Sequence, residues 1–265
     1  MSKGKSRSKH QPLWIAAVSL VALPIILHAF GLSTNTASMV VILAIATMAL
    51  NLCVGFTGLV SFGHSTWFGL GAYVAGLIQL HWFKGQIWLP IILSMAFVAV
   101  AATVAGILIL RRRGVYFSLL TLALAALSYT VAFRWTEVTG GEDGLSGLKR
   151  GSIGPIHLDD PLAYYILVAV IGMAVLYVLL RVTRSPFGHV LVAIRENQLR
   201  ATFQGYPVDR YKLGVFVLSA VIAGVAGALL GFQTYLVSAE AVSVPFSGEL
   251  LAMVVIGGMH HVLGP

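Results

Sequence analysis

Long apolar runs, separated by short breaks rich in glycine, proline or charge, repeat along the whole chain. Read against those breaks, the runs predict spans at 13–32, 37–54, 59–80, 88–110, 115–135, 162–180 and 213–236, with an eighth beginning near 249. Most approach the roughly 20 residues that a helix needs to cross hydrocarbon. The alternating strands of about ten residues that build an outer-membrane barrel are missing from the pattern. The expected fold is therefore all-α, a polytopic transmembrane helical bundle of about eight spans whose last member is cut short. The first run, Leu13 to Leu32, is longer than a signal-peptide core of about 7 to 15 residues and shows no small-residue cleavage site, so it is retained as a span.

One interval departs from the pattern. Between Arg181 and Lys212 some thirty polar and basic residues interrupt the apolar sequence, RVTRSPFGHVLVAIRENQLRATFQGYPVDRYK. A chain without a catalytic or nucleotide-binding motif, yet with a helix-sized basic insert on one side, reads as a coupling element driven by something that docks there.

Composition agrees with a membrane protein. Of 265 residues 58% are hydrophobic and 10% charged, against roughly 25% charged in ordinary soluble domains, and the mean hydropathy is +0.91. The lone cysteine, Cys53, excludes an internal disulfide and a cysteine-based metal site. The net charge of +8 does not point to nucleic acid, because the basic residues flank apolar spans instead of forming a soluble patch. They gather at Lys3, Lys5, Arg7, Lys9, Arg111–Arg113, Arg181, Arg184, Arg195, Arg200, Arg210 and Lys212, all on one side if the N-terminus is cytoplasmic. The positive-inside rule favours that orientation. It divides the chain into a basic cytoplasmic tail at 1–12 and a transmembrane domain at 13–265, with a cytoplasmic insert at 181–212 and an outer loop at 136–161. None of these extramembrane parts is large enough for a folded domain, so ligand capture and energy transduction are expected from other chains.

Three segments are candidates for function. The first, Val54 to Gly76, carries Gly55, Gly58, Gly63, Gly69, Gly71 and Gly76. Glycine costs about 1 kcal/mol against alanine inside a helix, so this density asks for a reason: either a broken, pathway-lining helix or close helix packing. Within it His64, flanked by Ser61, Ser65 and Thr66, is either a hydrogen-bonded structural group or a substrate contact. No second ligand at i+3 or i+4 supports a metal there. The second segment, TGGEDGLSG at 139–147, has turn chemistry at Gly140, Gly141, Asp143 and Gly144. It reads as a solvated connector or a docking loop, and it lacks EF-hand spacing. The third is the insert, where Pro186 opens a helix and Gly205 ends it. On that helix Val190, Leu191, Ile194 and Ala201 share one face, Val192, Leu199 and Phe203 the opposite one, and Glu196 and Arg200 form an i, i+4 pair. Two opposed apolar strips fit a helix held between its own bundle and a partner.

The absences also count. No G-x-x-x-x-G-K-[ST], H-E-x-x-H or G-x-S-x-G motif occurs. The spans hold almost no carboxylate for a proton relay, Glu249 being placed at a span end and Arg134 near one.

Five ordered motifs carry a resemblance. ALNLCVGFTGLVSFGHSTWFGLGAYVAG (49–76), RRGVYFSLLTLALAAL (112–127), TGGEDGLSG (139–147), the stretch 184–231 and VVIGGMHHVLGP (254–265) resemble the LivM-type permeases of branched-chain amino-acid ABC transporters. The resemblance implies a non-enzymatic subunit of a bacterial inner membrane, embedded in lipid, without its own cofactor. It implies a second related permease, two cytoplasmic ATPase subunits that hold ATP and Mg, and a periplasmic substrate-binding protein as partners. It further implies that Arg195, Glu196, Asn197, Arg200, Ala201 and Gly205 lie on the coupling helix seated in an ATPase subunit. Members of that type continue past the GGM…GP motif, so the sequence ending at Pro265 is expected to be a fragment, a shortened paralogue or a frameshifted product. His260 and His261 stand where small residues are common in the family. The alternatives are a permease for urea or short amides, a stand-alone secondary carrier, which the scarcity of intramembrane carboxylates disfavours, and an inactive scaffold.

Overall fold

A computed structural model describes residues 11–112, 114–153, 156–259 and 261–264. The readings made of residues 1–10, Arg113, His260 and Pro265 lie outside the described residues. The described chain is an all-α membrane bundle: α1 (Gln11–Ala29), α2 (Thr34–Thr57), α3 (His64–His81), α4 (Trp88–Ile109), α5 (Val115–Arg134), the short α6 (Thr136–Thr139), α7 (Pro161–Thr183), α8 (Pro186–Glu196), α9 (Gln198–Phe203), α10 (Val208–Thr234) and α11 (Val244–Gly257). Two-residue strands decorate one end, β1 (Leu145–Ser146) pairing with β4 (Leu236–Val237), and β2 (Ser152–Ile153) with β3 (Ile156–His157). Six helices, α1, α2, α4, α5, α7 and α10, are long and apolar enough to cross a membrane.

Three predicted boundaries move. The run at 59–80 is helical only from His64. The last helix begins at Val244, five residues before the predicted 249, and ends at Gly257. The run predicted at 213–236 is a helix that already starts at Val208, inside the polar insert, and ends at Thr234.

The centre of the bundle is α10, packed along α3, α2 and α4. Lipid tails are as apolar as leucine, so membrane helices associate through close packing and polar contacts instead of water exclusion. Glycines supply the closeness. A Cβ on Gly71 would overlap the backbone of Gly224, and one on Gly227 would overlap the carbonyl of Phe68. At Gly106 the side chains of Leu213 and Phe216 fill the place of a Cβ, which brings α4 against α10. Trp67 and Phe117 then meet Phe216 edge to face, with centroids 5.7 and 6.2 Å apart.

Two of the long helices end in breaks that lead back into the bundle. Helix α2 stops at Gly58, whose φ of 74° lets its N–H and that of Leu59 close onto the carbonyls of Val54 and Cys53. The chain from Leu59 to Phe62 then passes, outside any helix, beside α5 before α3 starts. Helix α10 ends at Tyr235 in the left-handed region. The chain passes through β4 and a 3-10 turn, Ala239–Val242, before Ser243 caps α11 by accepting a hydrogen bond from the Phe246 N–H at 3.3 Å.

The two units run in opposite senses. Asn35 at the start of α2 lies beside Gln233 at the end of α10, and Gly55 near the end of α2 lies beside the insert from which α10 rises. Their sequences agree as well: Gly55-Phe56…Leu59-Val60-Ser61 matches Gly231-Phe232…Leu236-Val237-Ser238. Phe68 and Phe246, each shortly after its break, touch with ring centroids 5.0 Å apart. This is an inverted repeat whose two broken helices meet inside the bundle.

The end opposite the insert is closed by Arg150, 1% exposed. Its guanidinium donates to the carbonyls of Gln233 (2.9 Å) and Phe232 (3.3 Å) and to Asn35 Oδ1 (3.4 Å). It also stands over the rings of Tyr164 and Tyr235, 4.4 and 4.8 Å from their centroids. A cation at the carbonyl end of a helix complements the macrodipole, and both aromatic faces add to its stabilisation. Gln79 ties the preceding residue, receiving the Lys149 N–H on Oε1 (2.9 Å) and donating Nε2 to the Lys149 carbonyl (2.7 Å).

Close backbone approach makes the glycine seam sensitive to a single methyl group. Gly227→Ala is expected to prevent accumulation of folded protein in membranes, whereas Gly248→Ala, with open space around the added carbon, is expected to accumulate normally. Equal detergent-extractable yields of the two variants would contradict the packing described.

Candidate functional site

The break before α3 is held by hydrogen bonds from three elements. The Phe62 N–H donates to Thr121 Oγ1 (3.1 Å) and Ser118 Oγ to the Val60 carbonyl (2.7 Å), so the unwound backbone borrows partners from α5. Gly63 abuts the Thr121 backbone and Gly69 abuts Val242 of the 3-10 turn, sites where a Cβ would collide. Gly58 and Gly63 bound a broken helix, and Gly69 and Gly71 allow tight packing.

His64 is fully buried. Its Nε2 lies 2.7 Å from Ser219 Oγ and its Nδ1 3.1 Å from Ser61 Oγ. Ser219 Oγ donates its only proton to the Ala49 carbonyl, so it must accept from His64 Nε2–H. That assignment leaves Nδ1 to accept from Ser61. Both ring nitrogens are thus engaged within the protein, and His64 ties the break to α10 and, through Ser219, to α2. No group of three His, Cys, Asp or Glu able to hold a metal occurs among the described residues.

Next to it the two broken helices join. Ser247 in the first turns of α11 donates from Oγ to Ser65 Oγ (2.8 Å) and accepts the Ser65 N–H (2.9 Å), while Ser65 Oγ donates to the Val242 carbonyl (3.1 Å). Ser219 stands eleven residues into the 27-residue α10, which sets this junction near the middle of the bundle. Glu249 follows two residues later. It therefore sits near mid-depth, contrary to its expected place at a span end, because α11 starts earlier and well inside the bundle.

The insert folds as two helices instead of one. Asn197 takes an extended conformation (ψ 99°) and caps α9 by accepting the Arg200 N–H on Oδ1 at 3.0 Å. The break removes the helical i, i+4 register assumed for Glu196 and Arg200. Val190, Leu191, Ile194 and Ala201 are all buried, Leu191 in the main core and the other three in a small cluster with Val208. Of the opposite strip Val192 is half-buried, whereas Leu199 and Phe203 are 62% and 88% exposed. Arg195 reaches back to the bundle: its Nη1 donates to the Gly55 carbonyl, and its Cγ lies 3.1 Å from the place of a Cβ on Gly58. Lys212, buried in the second turn of α10, donates to Gln198 Oε1 at 2.7 Å. The insert thus grips the end of α2 and the beginning of α10. Gly205, with φ 87°, turns the chain between α9 and α10.

At the opposite end Gly140, Gly141 and Gly144 all have positive φ (78°, 60° and 72°). Gly144 packs on the backbone of Val237, and Leu145 pairs with Val237 in the β1–β4 ladder, so this loop is strapped to the second break. Asp143 is exposed beside it.

Residues 32–265 match the family model described as the branched-chain amino acid transport system permease component. The chain belongs to this family. Among curated members it is 28% identical over 272 residues to the high-affinity branched-chain amino acid transport system permease protein LivM of Salmonella typhimurium, and 27% identical over 275 residues to LivM of Escherichia coli. Each alignment covers 94% of this chain and 64% of the relative. The chain therefore spans somewhat under two thirds of the length of those permeases. The probable branched-chain amino acid transport permease protein LivH of Methanocaldococcus jannaschii is 26% identical over 242 residues, covering 84% of this chain and 72% of LivH. No solved structure matches the chain. Of the features on which the fold depends in this chain, Arg150, Ser219 and Ser247 escaped the sequence reading; the nearest signal was the match between the two GF…LVS segments.

A tether with both nitrogens satisfied predicts a loss on substitution. His64→Leu is expected to lower unfolding stability in detergent by about 1–3 kcal/mol, the cost of leaving buried hydroxyls without partners, with His64→Asn intermediate. Unfolding of His64→Leu at the parental denaturant midpoint would contradict the tether.

Proposed function

We propose that this chain is the membrane-spanning permease subunit of an ATP-driven importer for branched-chain amino acids. In this reading it pairs with a second related permease, binds two cytoplasmic ATPase subunits that carry ATP and Mg, and accepts substrate from a periplasmic binding protein. The insert and the N-terminus face the cytoplasm of a bacterial inner membrane, in keeping with the basic residues around them. The chain itself contributes no hydrolytic chemistry.

The observation that carries this reading is the two-sided insert. One side is anchored in the bundle through Arg195, Gln198–Lys212 and the buried row from Val190 to Ala201, while the other offers Leu199 and Phe203 to solvent. Exposed apolar side chains on a rigid, anchored helix are what a partner's cleft requires. The anchors sit where they have leverage. Arg195 holds the last turn of α2, just ahead of the first break, and Lys212 holds the start of α10, which leads to the second. Displacement of α8 and α9 by nucleotide-driven closure of the ATPases would move both ends of the inverted repeat together. The meeting point of the two broken helices would then shift between openings toward either face of the membrane. The glycine-rich segment from Gly55 to Gly71 and the loop at Gly140 to Gly144 frame that motion, the first beside the insert and the second strapped to β4.

The double variant Leu199→Asp, Phe203→Asp tests the docking role in complexes reconstituted with all partners. It is expected to lose co-purifying ATPase subunits and leucine uptake by about tenfold or more, a hot-spot loss. Exposed positions leave the chain's own unfolding stability within about 0.5 kcal/mol. Full recovery of ATPases and uptake would overturn the assignment.

A further inference from the structure

The junction of the two broken helices opens sideways onto a groove of about 820 Å³. Tyr129 and Thr130 of α5 form one wall, and Glu240, Ser243, Phe246 and Glu249, from the 3-10 turn and α11, form the other. Thr130 and Leu230, four residues from the ends of α5 and α10, line its outer part, while Glu249, two residues beyond the Ser247 that bonds to Ser65, marks its inner end near the middle of the bundle. The Glu249 side chain is exposed and makes no hydrogen bond or ion pair with a described residue. An ionisable group at membrane depth does not face lipid at equilibrium; it turns to a protein interior or a wet cavity and marks the route of a polar solute.

The lining also limits the solute. Its charged residues are Glu240 and Glu249, with no Lys, Arg or His among them, and the remainder includes alanine, leucine, valine and phenylalanine side chains. A carboxylate at mid-depth complements an ammonium group, and the apolar wall complements a short aliphatic body. Urea and simple amides bring no cation and would leave the carboxylate uncompensated. We propose that Glu249 receives the α-ammonium group of an aliphatic amino acid at the midpoint of its passage, with the side chain of the solute against Phe246. The inference rests on the transport reading given above and adds to it a substrate contact and a choice between amino acids and amides.

The test uses the complete complex in proteoliposomes, with Cys53→Ala as background and Thr130→Cys as a reporter in the groove. A membrane-impermeant thiol reagent is expected to modify the reporter, and leucine supplied on the binding protein is expected to slow that modification severalfold. Adding Glu249→Gln should abolish the protection by leucine while modification persists, and should lower leucine uptake by about tenfold, the scale of one lost charge-assisted hydrogen bond. Glu249→Asp should retain both. A reporter that does not react means a lipid-facing groove and overturns the inference. So does protection that is unchanged in Glu249→Gln, or that responds to sodium but not to leucine. Failure of the transport reading is seen separately, as a complex with Glu249 intact that takes up no leucine.

Discussion

The approach of α3 to α10 is the contact on which the other features depend. Where a Cβ on Gly71 or Gly227 would stand, the backbone of Gly224 or Phe68 already lies. In a medium that gives helices no hydrophobic reason to associate, such contact supplies dispersion along the whole interface. It has a positional consequence too. Only at this separation does His64 reach Ser219 Oγ on α10 while its other ring nitrogen meets Ser61 in the break. The break before α3 is thus affordable because the seam beside it is tight.

From that seam the inverted repeat follows. Each half is a long helix, an extended return and a second helix that starts inside the bundle, and the halves meet through Ser65–Ser247 and Phe68–Phe246. A continuous helix satisfies its own backbone and offers the membrane interior nothing polar, whereas a helix that begins at mid-depth brings polar groups there. The same arrangement explains the insert. Arg195 of α8 bonds to the last turn of α2, and Gln198 of α9 accepts from Lys212 in the second turn of α10, so the insert is tied to both helices that lead into the breaks. Arg150 fixes the far end by holding the closing carbonyls of α10.

Much of this is legible in the sequence, and what is not has physical reasons. Apolar runs reveal spans because hydrocarbon filters side chains, and the glycines of Val54 to Gly76 announce a special segment because each is costly in a helix. Hydropathy says nothing of whether a backbone is helical, so Leu59, Val60 and Phe62 read as the start of a span although α5 supplies their hydrogen bonds. Asn197 looked like a helix interior because its capping of Arg200 depends on local dihedrals. Arg150 drew no attention because its partners are carbonyls and rings distant in sequence. Glu249 was placed at an end because the start of α11 is set by Ser243 and the descent of the chain from β4, neither of which is periodic.

The central claim is that α3 and α11, the helices that follow the two breaks, begin at the same depth and touch. It is tested most directly by the double variant Ser65→Cys, Ser247→Cys in a Cys53→Ala background, oxidised in native membranes. Hydroxyls 2.8 Å apart place the two positions within the reach of a disulfide. Rapid and nearly complete cross-linking is predicted, with none for Ser38→Cys paired with Ser247→Cys. Failure of the first pair to cross-link while the protein remains folded would mean that α3 and α11 do not meet, and the inverted arrangement would fall with it.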